Sequence, residues 1–272
     1  MAMHTRTFLL MLLLSAAVFS LTTLELLEPK TTVIEGEQID YGSVGPGQTF
    51  TVQIQPLVYK SDGEFRGQWD IAEVTSLPEG WSAKHSKIYD NPLVLEITTE
   101  PNAAEGDYLV SVLVTDEKGQ EHIGDSFEFW LLVTVRHDVV DMSVTPQSLE
   151  VGAGQPARFK VTLSNLGSAK DVYSINARGV KGWEFERKIY LLPGAQKSFT
   201  YEVIGNDESS YTVRFDAVSD SSSLIHDEQQ VSLEVHTSLL SDYKATSHGV
   251  LLFPILSSPI YSLAGLLGLL FP

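Results

Sequence analysis

The chain has 272 residues, a length that predicts two domains of roughly 100–150 residues, each able to bury its own core. With 35 acidic and 18 basic residues its formal net charge is −17, and a field of this sign repels phosphate backbones, which argues against nucleic-acid binding. The absence of cysteine excludes disulfides, thiolate metal sites and cysteine nucleophiles.

The N-terminus combines a basic start with a short apolar run. His4 and Arg6 precede an uncharged segment from Thr7 to Leu24, with small residues near Ser20. This order is typical of a secretory signal, so residues 1–24 are predicted to be a signal peptide, with an uncleaved N-terminal anchor as the alternative.

Residues 31–137 are predicted to form the first domain. Apolar residues alternate with polar ones in short runs that Gly, Pro, Asn and Asp turns separate, which is typical of strands rather than helices. The predicted strands are Ile39–Val44, Phe50–Gln55, Asp70–Thr75, Leu93–Thr98, Tyr108–Thr115 and Phe127–Val135.

Residues 138–238 are predicted to form the second domain, after a junction of almost no slack at residues 136–138. A junction this short restricts the two domains to few mutual orientations. A polar juxtamembrane linker is predicted at residues 239–248. The predicted strands are Val139–Val144, Ala157–Ser164, Asp171–Ala177, Glu184–Tyr190, Ser198–Ile204, Tyr211–Val218 and Val231–His236.

The same landmarks recur in both domains in the same order. A Gly-rich turn, at residues 45–48 and again at 152–155, precedes an alternating strand. A Gly-Trp pair follows, with Trp81 in the first domain and Trp183 in the second, and then a strand that a tyrosine begins. This internal repeat predicts an all-β protein of two tandem antiparallel sandwiches.

A long uncharged segment, Gly249–Phe271, follows the linker. At ~1.5 Å per residue it reaches about 34 Å, enough to cross a hydrocarbon core of about 30 Å as a transmembrane helix. Pro254 and Pro259 would kink this anchor, and Gly265 and Gly268 offer close-packing surface. The alternatives are an interfacial hairpin and a tail that is removed during lipid attachment.

Both domains carry motifs of a known module. In the first domain they are Leu77–Trp81 and Ala104–Tyr108; in the second they are Gly182-Trp183, Leu192–Gly194 and Tyr211. The repeat resembles the immunoglobulin-like domain found beside catalytic domains in some bacterial glycosidases and, often in tandem, in archaeal membrane-anchored surface proteins. The resemblance implies an Ig-like fold and a role in spacing, stalk-building or protein and glycan contact, with no catalytic residues.

The sequence shows no constellation for catalysis. Its seven histidines lack compact zinc spacing, and it has no Gly-x-Ser-x-Gly elbow, phosphate loop or dinucleotide fingerprint. The densest acidic group is Asp216, Asp220, Asp227 and Glu228, for which a solvated inter-strand loop is favoured over a calcium site. No enzyme activity, cofactor or metal is therefore predicted.

Tryptophans are the remaining candidates for a binding site. Trp81 and Trp183 occupy equivalent repeat positions, which favours a place in the two cores over a sugar-stacking platform. Trp69 lies outside the repeat and is the candidate for glycan or partner contact.

Taken together, these features predict a non-enzymatic cell-surface protein with a single membrane span. Its tandem domains would project as a stalk or interaction module on the extracytoplasmic side, with the membrane and a surface protein, glycan or membrane complex as partners. The alternative is an accessory subunit of a membrane transporter or translocation complex. A glycan-binding or glycan-acting protein is less favoured, because no acid, base or nucleophile constellation is present.

Overall fold

The computed structural model describes residues 23–59, 63–117, 119 and 123–237. Within these residues all regular elements are β-strands. The predicted signal segment up to residue 22, the linker 239–248 and the segment Gly249–Phe271 with its prolines and glycines lie outside the described residues. Among the described residues, no helix has the length and apolar character needed to cross a bilayer.

The first sandwich contains β1 (Thr23–Glu28), β2 (Lys30–Ile34), β3 (Gln38–Val44), β4 (Thr49–Ile54), β5 (Leu57–Tyr59), β6 (Phe65–Gln68), β7 (Ile71–Ser76), β8 (Ser82–Lys84), β9 (Leu93–Thr98), β10 (Gly106–Thr115) and β11 (Ser126–Val135). One sheet has the order β2-β1-β4-β9-β8 and the other β3-β11-β10-β7. Strands β5 and β6 form a separate hairpin.

The second sandwich contains β12 (Val140–Thr145), β13 (Ser148–Gly152), β14 (Pro156–Asn165), β15 (Asp171–Arg178), β16 (Phe185–Leu191), β17 (Gln196–Ile204), β18 (Ser209–Ser219) and β19 (His226–His236). Its sheets have the orders β12-β14-β17 and β13-β19-β18-β15-β16. All the strands that were predicted from the sequence are present.

Each core is built from the alternating residues that the sequence predicts. In β4, Phe50, Val52 and Ile54 are buried while the residues between them are half-buried. In β14, Phe159 is fully buried and its neighbour Lys160 is exposed. Burial of these apolar faces, at about 25 cal/mol per Å², is the main stabilising contribution of each sandwich.

The first sandwich begins earlier than the predicted boundary at residue 31. Strand β1 pairs with both β2 and β4, and its Leu24 and Leu26 are buried in the core. The strand therefore overlaps the last two residues of the predicted signal segment 1–24. Leu24 and Leu26 are therefore alternating core residues of a β-strand, and not the end of a signal segment.

The internal sequence repeat corresponds to a repeated strand topology in the two sandwiches. A short strand runs parallel to the last strand of each sandwich, β3 beside β11 and β13 beside β19. The Tyr108 hydroxyl donates to the Ala104 carbonyl at 2.9 Å, and the Tyr211 hydroxyl donates to the Asp207 carbonyl at 3.4 Å. This tyrosine corner, in a two-sheet antiparallel sandwich, is a feature of the immunoglobulin-like fold.

The three tryptophans that the sequence analysis considered pack against the cores of the sandwiches. Trp81 is buried with its ring 5.3 Å from that of Tyr108, and half-buried Trp183 packs against the second core, so both predictions are confirmed. The expectation for Trp69 is corrected: its side chain is 1% exposed and its ring lies 6.3 Å from that of Phe127. The junction between β6 and β7 folds this ring into the core, where it offers no stacking surface.

Candidate functional site at the joint between the sandwiches

The two sandwiches are joined by a buried side chain from the Gly-rich turn 45–48. Gln48 has no exposed surface, and its Oε1 accepts a hydrogen bond from the Gly45 N–H at 2.8 Å, which fixes the amide. Its Nε2 then donates across the joint to Asp171 Oδ2 at 2.6 Å. The turn that precedes β4 therefore orients a donor toward the start of β15.

Asp171 is a buried carboxylate whose oxygens are fully supplied with donors. Besides Gln48, Oδ2 accepts from the Ser219 hydroxyl at 2.6 Å, and Oδ1 accepts from the Ser221 hydroxyl at 2.9 Å and from the Val172 N–H at 2.7 Å. Desolvating a charge is costly unless such donors replace water. The joint is consequently stable in one arrangement, in which all of these partners are in place.

Two glycines allow the close approach of the sandwiches. A Cβ on Gly45 would lie 2.4 Å from Ile225 Cδ1, and a Cβ on Gly47 would lie 2.4 Å from the Ser221 carbonyl oxygen. Gly47 also has a φ of +68°, which side chains rarely adopt. The Gly-rich turn of the first domain thus has a structural role, because it is the docking surface for the second domain.

Further contacts surround this polar centre. The Ser168 N–H donates to the Ser43 carbonyl at 2.7 Å, and the Ser222 hydroxyl donates to the Pro101 carbonyl at 2.7 Å. Ala169 of the second sandwich packs into the core cluster of the first. These contacts, which lie apart in sequence, oppose rotation of one sandwich against the other.

The covalent junction is also held in place. Arg136 and Asp138 form a bidentate ion pair, with Nε–Oδ1 and Nη2–Oδ2 distances of 2.7 and 2.5 Å. This ion pair lowers the pKa of Asp138 from its ordinary value. The His137 N–H donates to Glu105 Oε1 at 3.0 Å, so the junction is bound to the first sandwich.

Tyr173 makes the joint sensitive to alkaline pH. Burial, and after it the charge of Asp171, raises the pKa of the Tyr173 hydroxyl above its ordinary value of about 10. The neighbouring Gln48 side chain lowers the Tyr173 pKa and so offsets part of this rise. The Tyr173 hydroxyl nevertheless has no hydrogen bond of normal geometry among the described residues. The folded state therefore keeps this proton above pH 10, where the unfolded chain releases it.

We expect Tyr173→Phe to weaken the loss of stability at alkaline pH. Because the folded-state pKa is raised, the contribution of Tyr173 is fully present below about pH 10 and is lost as the pH rises toward the folded pKa. Without the hydroxyl, the fall in unfolding free energy above pH 10 should be shallower, by a difference that approaches about 1.4 kcal/mol per pH unit once the unfolded tyrosine is fully ionised. Urea unfolding at pH 8 and between pH 10 and 11 measures this, and an unchanged slope would contradict it.

A cleft of about 350 Å³ lies beside the joint, between the sandwiches. Its charged residues include Glu28, Glu96 and Lys170. Glu28 Oε2 accepts from Gln53 Nε2 at 2.7 Å, and a hydrogen bond from Lys84 lowers the pKa of Glu96. With its carboxylates engaged in this way, the cleft is suited to binding rather than to acid–base catalysis. Its other lining residues are Tyr41, Thr49, Phe50, Thr51, Gln53, Val94, Ser168, Ala169, Tyr190, Leu192 and Pro193.

The acidic group that the sequence analysis singled out does not converge on one point. Asp216 and Glu228 both pair with Arg214, whereas Asp220 pairs with Lys188 at 2.7 Å. The fourth member, Asp227, accepts a backbone N–H from Met142. The hydrogen bond from Lys188 lowers the pKa of Asp220. Asp216 in β18 lies opposite Glu228 in β19, and Asp227 is also part of β19. Only Asp220 lies in the loop between the two strands, where the sequence analysis expected the whole group.

The structure groups three exposed ligand-type side chains that the sequence analysis missed. Glu150 lies opposite Glu234 in the parallel pairing of β13 with β19, and His236 follows on the same face. Their ligand atoms lie within 4.8 Å of one another, and His236 Nε2 is 3.4 Å from Glu150 Oε1. The alternation of Glu234 and His236 is visible in the sequence, but the position of Glu150 depends on the β13 pairing, which was not predicted.

Comparison with known proteins adds likenesses of fold only. No family model matches the chain, and no curated protein matches it. Among solved structures, a CARDB domain from Pyrococcus furiosus is 16% identical, with 38% of this chain and 99% of that chain covered and a TM-score of 0.30. The β-glucosidase of Listeria innocua is also 16% identical, over 36% of this chain, with a TM-score of 0.26.

A longer alignment is found with the α-2-macroglobulin of E. coli, at 11% identity, 72% coverage of this chain and a TM-score of 0.31. The matched regions span 16% of the β-glucosidase chain and 16% of the macroglobulin chain. TM-scores this low say nothing about activity. The resemblance to the glycosidase-associated module stays a prediction.

Proposed function

We propose that this chain is a non-enzymatic, membrane-anchored cell-surface protein whose two Ig-like sandwiches act as one rigid stalk or interaction module. The observation that carries the proposal is the buried joint, in which Gln48 donates to Asp171 at 2.6 Å across the two sandwiches. A polar contact this deeply buried is costly to open, because Asp171 would lose a donor without regaining full hydration. Because separating the two sandwiches is costly, the module is suited to holding a partner at a fixed distance.

The membrane part of the proposal comes from the ends of the sequence. The apolar segment Gly249–Phe271 has the length of a span, and the N-terminal segment has the order of an export signal. Arg6, on the short N-terminal flank, favours a cytoplasmic N-terminus, which directs the acidic sandwiches across the membrane. In this arrangement the second sandwich lies next to the membrane and the first lies beyond it.

We expect both sandwiches to be reachable from outside intact cells. The chain has no cysteine, so a single Glu79→Cys substitution on the exposed turn before Trp81 gives a unique thiol. A membrane-impermeant maleimide should label it fully without lysis. Lys181→Cys, on the corresponding turn of the second sandwich, should react equally. If either thiol is labelled only after lysis, that sandwich lies on the cytoplasmic side and the proposed topology is wrong.

Extraction in mild detergent separates the stalk from the accessory subunit of a transporter or translocation complex. A lone monomer favours the stalk. A defined stoichiometric complex favours the subunit, for which the kinks at Pro254 and Pro259 would shape a packing surface for partner helices.

A further inference from the structure

An imidazole nitrogen and two carboxylate oxygens converge on the exposed face of the second sandwich. His236 Nε2 lies 3.4 Å from Glu150 Oε1 and 3.7 Å from Glu234 Oε2. One ligand atom from each of the three side chains lies within 4.8 Å of the other two. Three side chains that can bind a metal ion therefore meet at one point on the surface.

The strand register places these residues together. Glu150 in β13 and Glu234 in β19 are direct partners in the parallel pairing of the two strands, and Gly152 is the partner of His236. Val235, which lies between Glu234 and His236, is buried in the core, so the side chains on either side of it lie on the outer face. Positions on a hydrogen-bonded pair of strands are held more precisely than positions on a loop.

The two glutamates lack the cationic partner that a similar pair on the same sheet has. Asp216 and Glu228 are also paired across neighbouring strands, and Arg214 forms ion pairs with both of them. Within the described part of the second sandwich, the ion-pair contacts of Glu150 and Glu234 are with the imidazole alone. Because like charges at paired strand positions repel each other, this pair favours a cation at its side.

The spacing of the three side chains fits a metal ion better than it fits hydrogen bonds. The distances of 3.4 and 3.7 Å from His236 Nε2 exceed the roughly 2.7–3.2 Å of a normal N–H···O hydrogen bond. Zinc binds nitrogen and oxygen ligands at about 2.0–2.2 Å with tetrahedral geometry, which separates two ligands by about 3.3–3.6 Å. The distance to Glu150 lies in this range and the distance to Glu234 lies just above it, so small rotations of exposed side chains complete the geometry.

We propose that Glu150, Glu234 and His236 form a zinc site on the second sandwich. An imidazole with two carboxylates suits Zn²⁺, whereas Ca²⁺ and Mg²⁺ prefer shells of oxygen alone. Three protein ligands leave one tetrahedral position, which water fills because the three side chains are open to solvent.

The zinc ion would fasten an edge strand to the last strand of the second sandwich. Strand β13 has five residues and lies at the edge of the sheet β13-β19-β18-β15-β16. An ion bound by Glu150 on one side and by Glu234 and His236 on the other connects β13 to β19 through side chains as well as through the backbone ladder. The site is independent of the proposed function, since zinc binding would hold for either a stalk or a subunit.

The test is a titration of the full-length chain without a histidine tag, in mild detergent and first freed of metal, with Zn²⁺ and with Co²⁺ as a coloured substitute. We expect one equivalent of Zn²⁺ to bind, and we expect bound Co²⁺ to show the visible absorption of a four-coordinate ion. Zinc should raise the midpoint of thermal unfolding by a few degrees, because it binds the folded state only. Ca²⁺ and Mg²⁺ at the same concentration should raise it much less.

Glu150→Gln, Glu234→Gln and His236→Gln should each weaken zinc binding by tenfold or more. All three side chains are exposed, so each variant should unfold near the wild-type midpoint when no metal is present. His226→Gln is the matched control, since it removes an exposed imidazole from the other end of β19, and it should bind zinc as the wild type does.

Three results would overturn the proposal. If the wild type binds no zinc, or only several equivalents weakly, the imidazole serves merely as a neighbour of the two carboxylates. If His226→Gln loses binding, zinc binds at another place on the strand. If the three variants at the site bind zinc as the wild type does, these side chains are not its ligands.

Discussion

Replacing Phe159 by Ala is expected to lower the free energy of unfolding of the second sandwich by about 3–5 kcal/mol. Phe159 is fully buried, and its ring lies 6.3 Å from the ring of Phe215, on the opposite sheet. Truncation removes apolar contacts and leaves a cavity. The strands on both sides cannot move in to fill it, because backbone hydrogen bonds hold each strand in its sheet. Chemical denaturation, followed by tryptophan fluorescence, measures the loss.

Lys160→Ala is the matched control on the same strand. Lys160 is exposed and points to the other face of β14, so its truncation should cost under about 0.5 kcal/mol. Equal losses at the two positions would show that the strand faces the other way.

Replacing Gly47 by Ala is expected to open the joint. Its Cβ would lie 2.4 Å from the Ser221 carbonyl oxygen, at a φ of +68°. Gly194→Ala is the matched control, since its φ is +64° but its Cβ would meet nothing within 4 Å. Both variants carry left-handed strain of about 1–2 kcal/mol, so any difference between them comes from the contact between the sandwiches.

Much of the fold could be predicted because each strand carries its own signal. In Ala157–Ser164, four apolar residues alternate with four polar ones, and only one face of a sheet can accept that pattern. The Gly-Trp and Tyr landmarks then indicated the repeat, because equivalent positions in two sandwiches have the same packing requirements. Trp81 beside Tyr108 shows this directly.

The elements that were missed depend on pairing across long stretches of chain. Strand β1 lies where an apolar run resembles the end of a signal segment, and only its pairing with β4 identifies it as a core strand. Strand β13 is short and only partly buried, so its parallel partner β19 identifies it. Trp69 was misjudged because a residue outside a repeat can still be core when its loop folds inward.

The joint could not be read from the sequence, although its residues were visible there. The turn 45–48 was recognised as a repeat landmark, but nothing local shows that Gln48 meets a residue 123 positions away. Asp171 at the start of a strand looks like an ordinary exposed carboxylate. Only the docking of two sandwiches turns these residues into one buried network, since the contacts are between domains.

A distance measurement between the two sandwiches tests the central claim, that they form one rigid body, most directly. The chain has no native cysteine, so spin labels at Glu79→Cys and Lys181→Cys report one distance by pulsed electron paramagnetic resonance. We expect a single narrow distribution in the otherwise unchanged chain and in Gly194→Ala, and a broad one in Gly47→Ala. A broad distribution without further substitution, or a narrow and unshifted one in Gly47→Ala, would contradict a rigid joint built on this turn.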